Sequence, residues 1–162
     1  MQRRDFIKGG VLIATFGQLL PSLAETGGGL TETEIATVLR MHNDERALFS
    51  VKPLRWSSKL ASKAQAWAQK LAKSGEFRHS NMKYGENLAG APNIEQAIGF
   101  WLSEKKLYKP GSRFRDLEYA HYTQMIWKKS KKMGCGKASG PHYDIFVCLY
   151  DPPGNFTGKK PY

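Results

Sequence analysis

The apolar positions of the chain recur with two different periods, and the switches between them outline its elements. Ile35, Val38, Leu39, His42, Ala47 and Leu48 follow a helical period behind Thr31 or Thr33, either of which can cap, and predict a first helix ending near Phe49. Lys52-Pro53-Leu54-Arg55-Trp56 then reads as an extended connector, because the residue before a proline is pushed out of helical geometry. The clearest stripe follows: Leu60, Ala64, Trp67, Ala68 and Leu71, with lysines on the other face, a serine cap at Ser57 or Ser58 and a stop at Ser74-Gly75. Residues 76–81 carry no stripe, which places His79 on a loop or short strand, and Gly85-Glu86-Asn87-Leu88 begins another turn-bounded segment.

Pro92-Asn93 opens a third predicted helix that runs through Tyr108, with Ile94, Ala97, Ile98, Trp101 and Leu102 apolar and Pro110-Gly111 beyond its end. One carboxylate is out of place on it. Glu104 shares the face of Ala97 and Trp101, and a carboxylate buried there is costly unless something meets it. Residues 109–119 are polar and basic, interrupted by Phe114 and Leu117, and form either a mobile lid or a long connector. A short helix is expected over 121–129. Residues 132–139 and 143–150 read as two strands about a Gly140-Pro141 turn, and Ile145, Val147 and Leu149 alternate with Phe146 and Cys148 as in a central strand covered on both faces. Helices flanking a small sheet make an α/β sandwich.

Ahead of these elements, residues 1–24 have the form of an export signal: Arg3-Arg4-Asp5-Phe6-Ile7-Lys8, an apolar run over 11–20, then Pro21-Ser22-Leu23-Ala24 with small residues where a signal peptidase reads. The paired arginines make it twin-arginine in type. The apolar run falls short of the roughly 20 residues a spanning helix needs, which favours cleavage over a retained anchor. Residues 25–32, with Gly27-Gly28-Gly29, read as a flexible linker, and 33–162 as one domain.

Charge and cysteines then take their meaning from export. A net charge of +11 would ordinarily raise nucleic acid, but outside the cytoplasm the counter-surfaces are anionic envelope components: lipid head groups, phosphate-bearing polymers and acidic glycans. No nucleic acid partner is expected. Lys128, Lys129, Lys131 and Lys132, the densest basic run, and Lys109, Arg113 and Arg115 of the 109–119 segment are the candidates for lipid or anionic-surface contact; the plain reading of both is a solvated face. Cys135 and Cys148 fall on the two predicted strands, where an oxidising compartment favours a disulfide. The sharper alternative is a nucleophilic cysteine paired with His121, which would need one thiol exposed and reduced.

His42-Asn43 with Arg46, Pro53-Leu54-Arg55-Trp56, His79-Ser80, Gly85-Glu86-Asn87-Leu88-Ala89, Trp101 with Glu104 and Tyr108, His121-Tyr122-Thr123-Gln124, Trp127, Gly134-Cys135-Gly136 and the run from Tyr150 through Asp151-Pro152-Pro153-Gly154-Asn155 occur in an order that resembles the CAP superfamily. This is the group of cysteine-rich secretory proteins, antigen 5 and pathogenesis-related class 1 proteins, also called SCP domains. The resemblance implies a three-layer α-β-α sandwich in which two histidines and two glutamates converge in a surface cleft. On this chain they fall on His79, Glu86, Glu104 and His121. It also supports the Cys135–Cys148 bridge.

Two imidazoles and two carboxylates suit either a divalent metal or proton transfer. In the metal reading, which some family members bear out, His79 and His121 offer ring nitrogens and Glu86 or Glu104 a carboxylate to a divalent cation, zinc first. In the enzyme reading, Glu86 or Glu104 is the catalytic base or acid of a metal-assisted peptidase-like or esterase-like hydrolysis; Ser80 and Thr123 are weak nucleophile candidates. In the binding reading, which relatives that bind sterols, fatty acids or anionic membranes encourage, the cleft or residues 109–119 hold a lipid, sterol or envelope component, with peripheral membrane contact. The plainest alternative is structural: the glutamates only hydrogen-bond the histidines. His42 reads as a hydrogen-bonded core residue and His142 as turn surface.

Overall fold

The computed structural model describes residues 29–162; the export signal expected over 1–24 lies outside them. In chain order the elements are α1 (Glu32–Ala47), β1 (Arg55–Trp56), α2 (Ser58–Ser74), β2 (Gly85–Ala91), α3 (Ile94–Ser103), α4 (Ala120–Met125), β3 (Lys132–Ser139) and β4 (Asp144–Asp151), with 3₁₀ turns at Glu104–Lys106 and Leu117–Tyr119. The strands lie in the order β1-β3-β4-β2, β1 parallel to β3 and the other pairs antiparallel.

β4 is central, and its alternation divides the core in two. Ile145, Val147 and Leu149 pack against Leu60, Ala64, Ala68 and Leu71 of α2. Phe146, Cys148 and Tyr150 point the other way, into a cluster with Val38 of α1, Ala97, Ile98 and Trp101 of α3, and Met125 of α4. A strand whose successive side chains face opposite ways thus serves both helical layers, and the architecture is the expected α-β-α sandwich. Two glycines set the spacing of one layer. A Cβ on Gly134 of β3 would collide with backbone atoms of Ser57, Leu60 and Ala61, and one on Gly136 with those of Ala64 and Gln65, so α2 rests directly on bare strand backbone. Cys135 between them faces the other core and forms the disulfide with Cys148, its register partner on β4.

The helix starts follow their caps. Thr31 and Glu34 form a reciprocal capping box at α1, Ser57 caps α2, and Asn93 caps α3. α2 ends at Gly75, whose φ of 71° is the left-handed geometry of a C-terminal cap. Leu30 is only 3% exposed and joins the α1 core, so packing already begins within the segment read as a linker.

Three elements depart from the sequence expectation. β2 is a full strand along β4 rather than a turn-bounded segment, decided by pairing and not by local propensity. α3 stops at Ser103, and Glu104 sits in the 3₁₀ turn that follows instead of on the helix. α4 ends at Met125, well short of Lys129. Residues 109–119 are pinned: Phe114 is buried, its N–H donates to the Lys159 carbonyl at 2.7 Å, and its own carbonyl accepts from Gly158 N–H at 2.9 Å. Of the lid and the connector that the sequence allows for this segment, it is the connector, tethered to the tail.

Candidate functional site at the edge of β2

β2 is an edge strand, and its second residue, Glu86, meets the loop that leaves α2. The Glu86 side chain is only 6% exposed. Its carboxylate accepts from the Ser80 N–H at 3.1 and 3.2 Å, one bond to each oxygen, and from His79 Nδ1 at 2.6 Å. Burial alone would raise the Glu86 carboxyl, but the bonds from His79 and Ser80 outweigh it and hold it below its ordinary value. The bond to Glu86 in turn lifts the His79 imidazole above its ordinary 6.5. His79 itself is 61% exposed, with Nε2 unused by any described partner.

The second pair repeats the first on different elements. His121, at the start of α4, places Nδ1 2.6 Å from Glu104 Oε1, while Glu104 Oε2 accepts from Tyr122 N–H at 3.0 Å. The partner that the misplaced carboxylate required is therefore His121 with the first turn of α4. The imidazole lies nearly parallel to buried Trp101, ring centres 6.1 Å apart and planes 18° apart, and Trp101 Nε1 donates to the Leu88 carbonyl of β2. In both pairs the carboxylate already accepts a backbone N–H, so Nδ1–H is the donor and a neutral ring keeps its Nε2 lone pair outward.

Asn87 joins the two. It follows Glu86 on β2, faces the opposite side of the sheet, and donates from Nδ2 to the His121 carbonyl at 3.1 Å. The glutamates are thus spent on the histidines. Among the described residues no group of three or more His, Cys, Asp or Glu is gathered as a metal centre. Of the two nucleophile candidates, Thr123 Oγ1 has one proton to give and three acceptors within reach, the carbonyls of Tyr119 and Ala120 and Asn155 Oδ1, and Ser80 Oγ accepts from Met82 N–H; neither is bonded to a histidine. The cysteine alternative is closed by the disulfide.

The remaining candidates lie outside the histidine pairs. Lys109, Arg115, Lys128, Lys129, Lys131 and Lys132 are all exposed, and Arg113 donates to the Gly158 carbonyl, tying its loop to the C-terminal tail. The tail does more than turn. Asn155 donates to the Ala120 carbonyl, and Gly154 N–H donates to Gln124 Oε1, so residues 154–155 latch α4 and with it His121. Sequence pattern gave no sign of this contact.

A sandwich of this layering with two carboxylate-backed histidines at the edge of its sheet defines a class, and comparison with known proteins identifies it. The model of the CAP (cysteine-rich secretory protein) family matches residues 39–150, and the chain belongs to that family. It is 34% identical over 157 residues to pathogenesis-related protein 1 of Arabidopsis thaliana, covering 94% of this chain and 93% of that protein. With pathogenesis-related leaf protein 6 of Solanum lycopersicum it shares 38% over 130 residues, 76% of this chain and 80% of the relative. Among solved structures, Na-ASP-1 superposes with a TM-score of 0.71 at 22% identity, covering 95% of this chain but only 46% of Na-ASP-1. A structure of NaASP2 with Zn2+ superposes at 0.68 with 24% identity, covering 83% and 87% of the two chains.

Proposed function

We propose that this chain is an exported CAP-domain binding protein whose two histidines present their outward ring nitrogens to a divalent cation, zinc first. The observation that carries the reading is the matched pair of Nδ1–carboxylate bonds, each 2.6 Å, which fix ring orientation and tautomer and leave Nε2 as the donor on both rings. His79 and His121 would hold the ion while Glu86 and Glu104 orient them. Two protein ligands leave the other positions to water or to a ligand's anionic group, which suits reversible rather than structural binding. A bound cation would supply a Lewis-acid centre or an anchoring point there. The Zn2+ structure of NaASP2, a protein of the same fold, supports the choice of ion.

Export belongs to the same reading: residues 1–24 act as a cleaved twin-arginine signal that delivers the domain to the periplasm or the medium. Titration calorimetry with zinc tests the metal site. Wild type should give a saturable heat and a His79→Ala/His121→Ala variant none; equal heats from both would sink the proposal.

A further inference from the structure

Two clefts open on the surface away from the histidine pairs, and they meet at one lysine. The first, about 430 Å³, is lined by Lys52, Pro53, Arg55, Lys128, Ser130 and Lys131. The second, about 190 Å³, is lined by Lys128, Lys129, Lys159 and Lys160 around Trp127 and Phe156. Neither lining contains a carboxylate, and among the described residues none of these cations takes part in an ion pair. Seven exposed cations therefore line the two clefts outside any ion pair among the described residues.

The scaffold beneath them is fixed. Arg46, fully buried, donates to the carbonyls of Lys52, Met125, Trp127 and Ser130 at 2.9 to 3.0 Å, and so grips both backbone segments that carry the first cleft. Lys128 N–H donates to the Pro161 carbonyl at 2.7 Å, which fastens the tail bearing Lys159 and Lys160 to the same segment. Arg46 has no carboxylate among its hydrogen-bond partners, so its charge adds to the field in the clefts.

We propose that these joined clefts bind an acidic polysaccharide. Anionic groups repeated along a chain match cations that run through two clefts in succession; a compact anion would fill only one. Phe156, 51% exposed and packed on Trp127, offers an apolar face on which the C–H face of a sugar ring can lie between lysines. A single exposed ring is a poor platform for successive nucleic acid bases, which need several. Concave linings also suit a flexible polymer better than the plane of a bilayer.

The test is fluorescence anisotropy with labelled dextran sulfate oligomers, against neutral dextran, single-stranded DNA of equal charge and phosphatidylglycerol vesicles. Dextran sulfate should bind, weakening steeply as salt rises. Lys128→Glu/Lys160→Glu, on the exposed surface, should lose at least tenfold, since each lysine against an anionic surface carries about fivefold. Phe156→Ala should weaken binding a few-fold, and His79→Ala/His121→Ala should bind as wild type does, which separates this surface from the metal site. Equal binding of neutral dextran, tighter binding of DNA or vesicles, or indifference to the lysine reversals would overturn the proposal.

Discussion

His42 and His79 are the same side chain put to opposite uses. In the core, His42 Nδ1 donates to the Val38 carbonyl at 2.8 Å and Nε2 accepts from the Tyr150 hydroxyl at 2.8 Å, so both nitrogens are consumed. The ring is fully buried, and burial pushes its pKa down to about 4. At the edge of β2, His79 commits one nitrogen to Glu86 and leaves the other in solvent, and that bond pushes its pKa up. Arg46 extends the contrast to a charge, its guanidinium ringed by backbone carbonyls with no carboxylate among them, and burial lowers it to about 10. The core uses polar groups until nothing remains to bind; the edge site leaves one lone pair per ring.

The contrast is broken most severely at Arg46. Arg46→Ala removes a cation and strips hydrogen bonds from four carbonyls on two remote segments, and should cost about 4 kcal/mol, the scale of breaking a buried charge cluster. Urea unfolding followed by circular dichroism measures it; a loss under about 1 kcal/mol would mean the carbonyls find water instead.

His42 comes next, through pH. Its folded pKa of about 4 lies below the ordinary 6.5, so the unfolded chain binds the extra proton first, and stability that is complete above 6.5 drains away as pH falls towards 4. The drop amounts to about 3 kcal/mol at 1.36 kcal/mol per unit. His42→Gln keeps a polar side chain without a titrating ring, so its unfolding free energies at pH 7 and pH 4 should differ by about 3 kcal/mol less than those of wild type.

How far these roles could be read in advance depended on where the partner lay in the chain. α2 was legible because Leu60, Ala64, Ala68 and Leu71 carry their instruction locally, and β4 because its alternation feeds two cores. β2 was not: Gly85, Asn87 and Gly90 have low strand propensity, and only the register with β4 makes them a strand. The four site residues were named from motif order, and Glu104 also from its wrong face, but nothing local showed that they would sort into two pairs. Asn87 was quoted within a motif without a role, since the His121 carbonyl it binds belongs to α4. Arg46 was likewise quoted within a motif without a role, because four carbonyls leave no mark in a side-chain pattern.

The mildest perturbation separates the two histidines most cleanly. Glu86→Gln keeps an acceptor for His79 Nδ1 but removes the charge, and because the imidazole is more than half exposed the change in stability should stay below about 1 kcal/mol. The readout is the ring itself. In wild type His79 should titrate above 6.5 by proton NMR, and in Glu86→Gln it should fall back towards that value. The raised His79 stabilises fully below 6.5 and is lost as pH climbs through its folded value; the lowered Glu86 stabilises fully above 4.5 and is lost as pH falls through its own. The pair is therefore strongest between 4.5 and 6.5, the interval in which acidification weakens the core at His42. A wild-type His79 that titrates at or below 6.5, or one indifferent to the substitution, would show that Glu86 holds the ring by contact alone, with no charge coupling to set its basicity towards a metal.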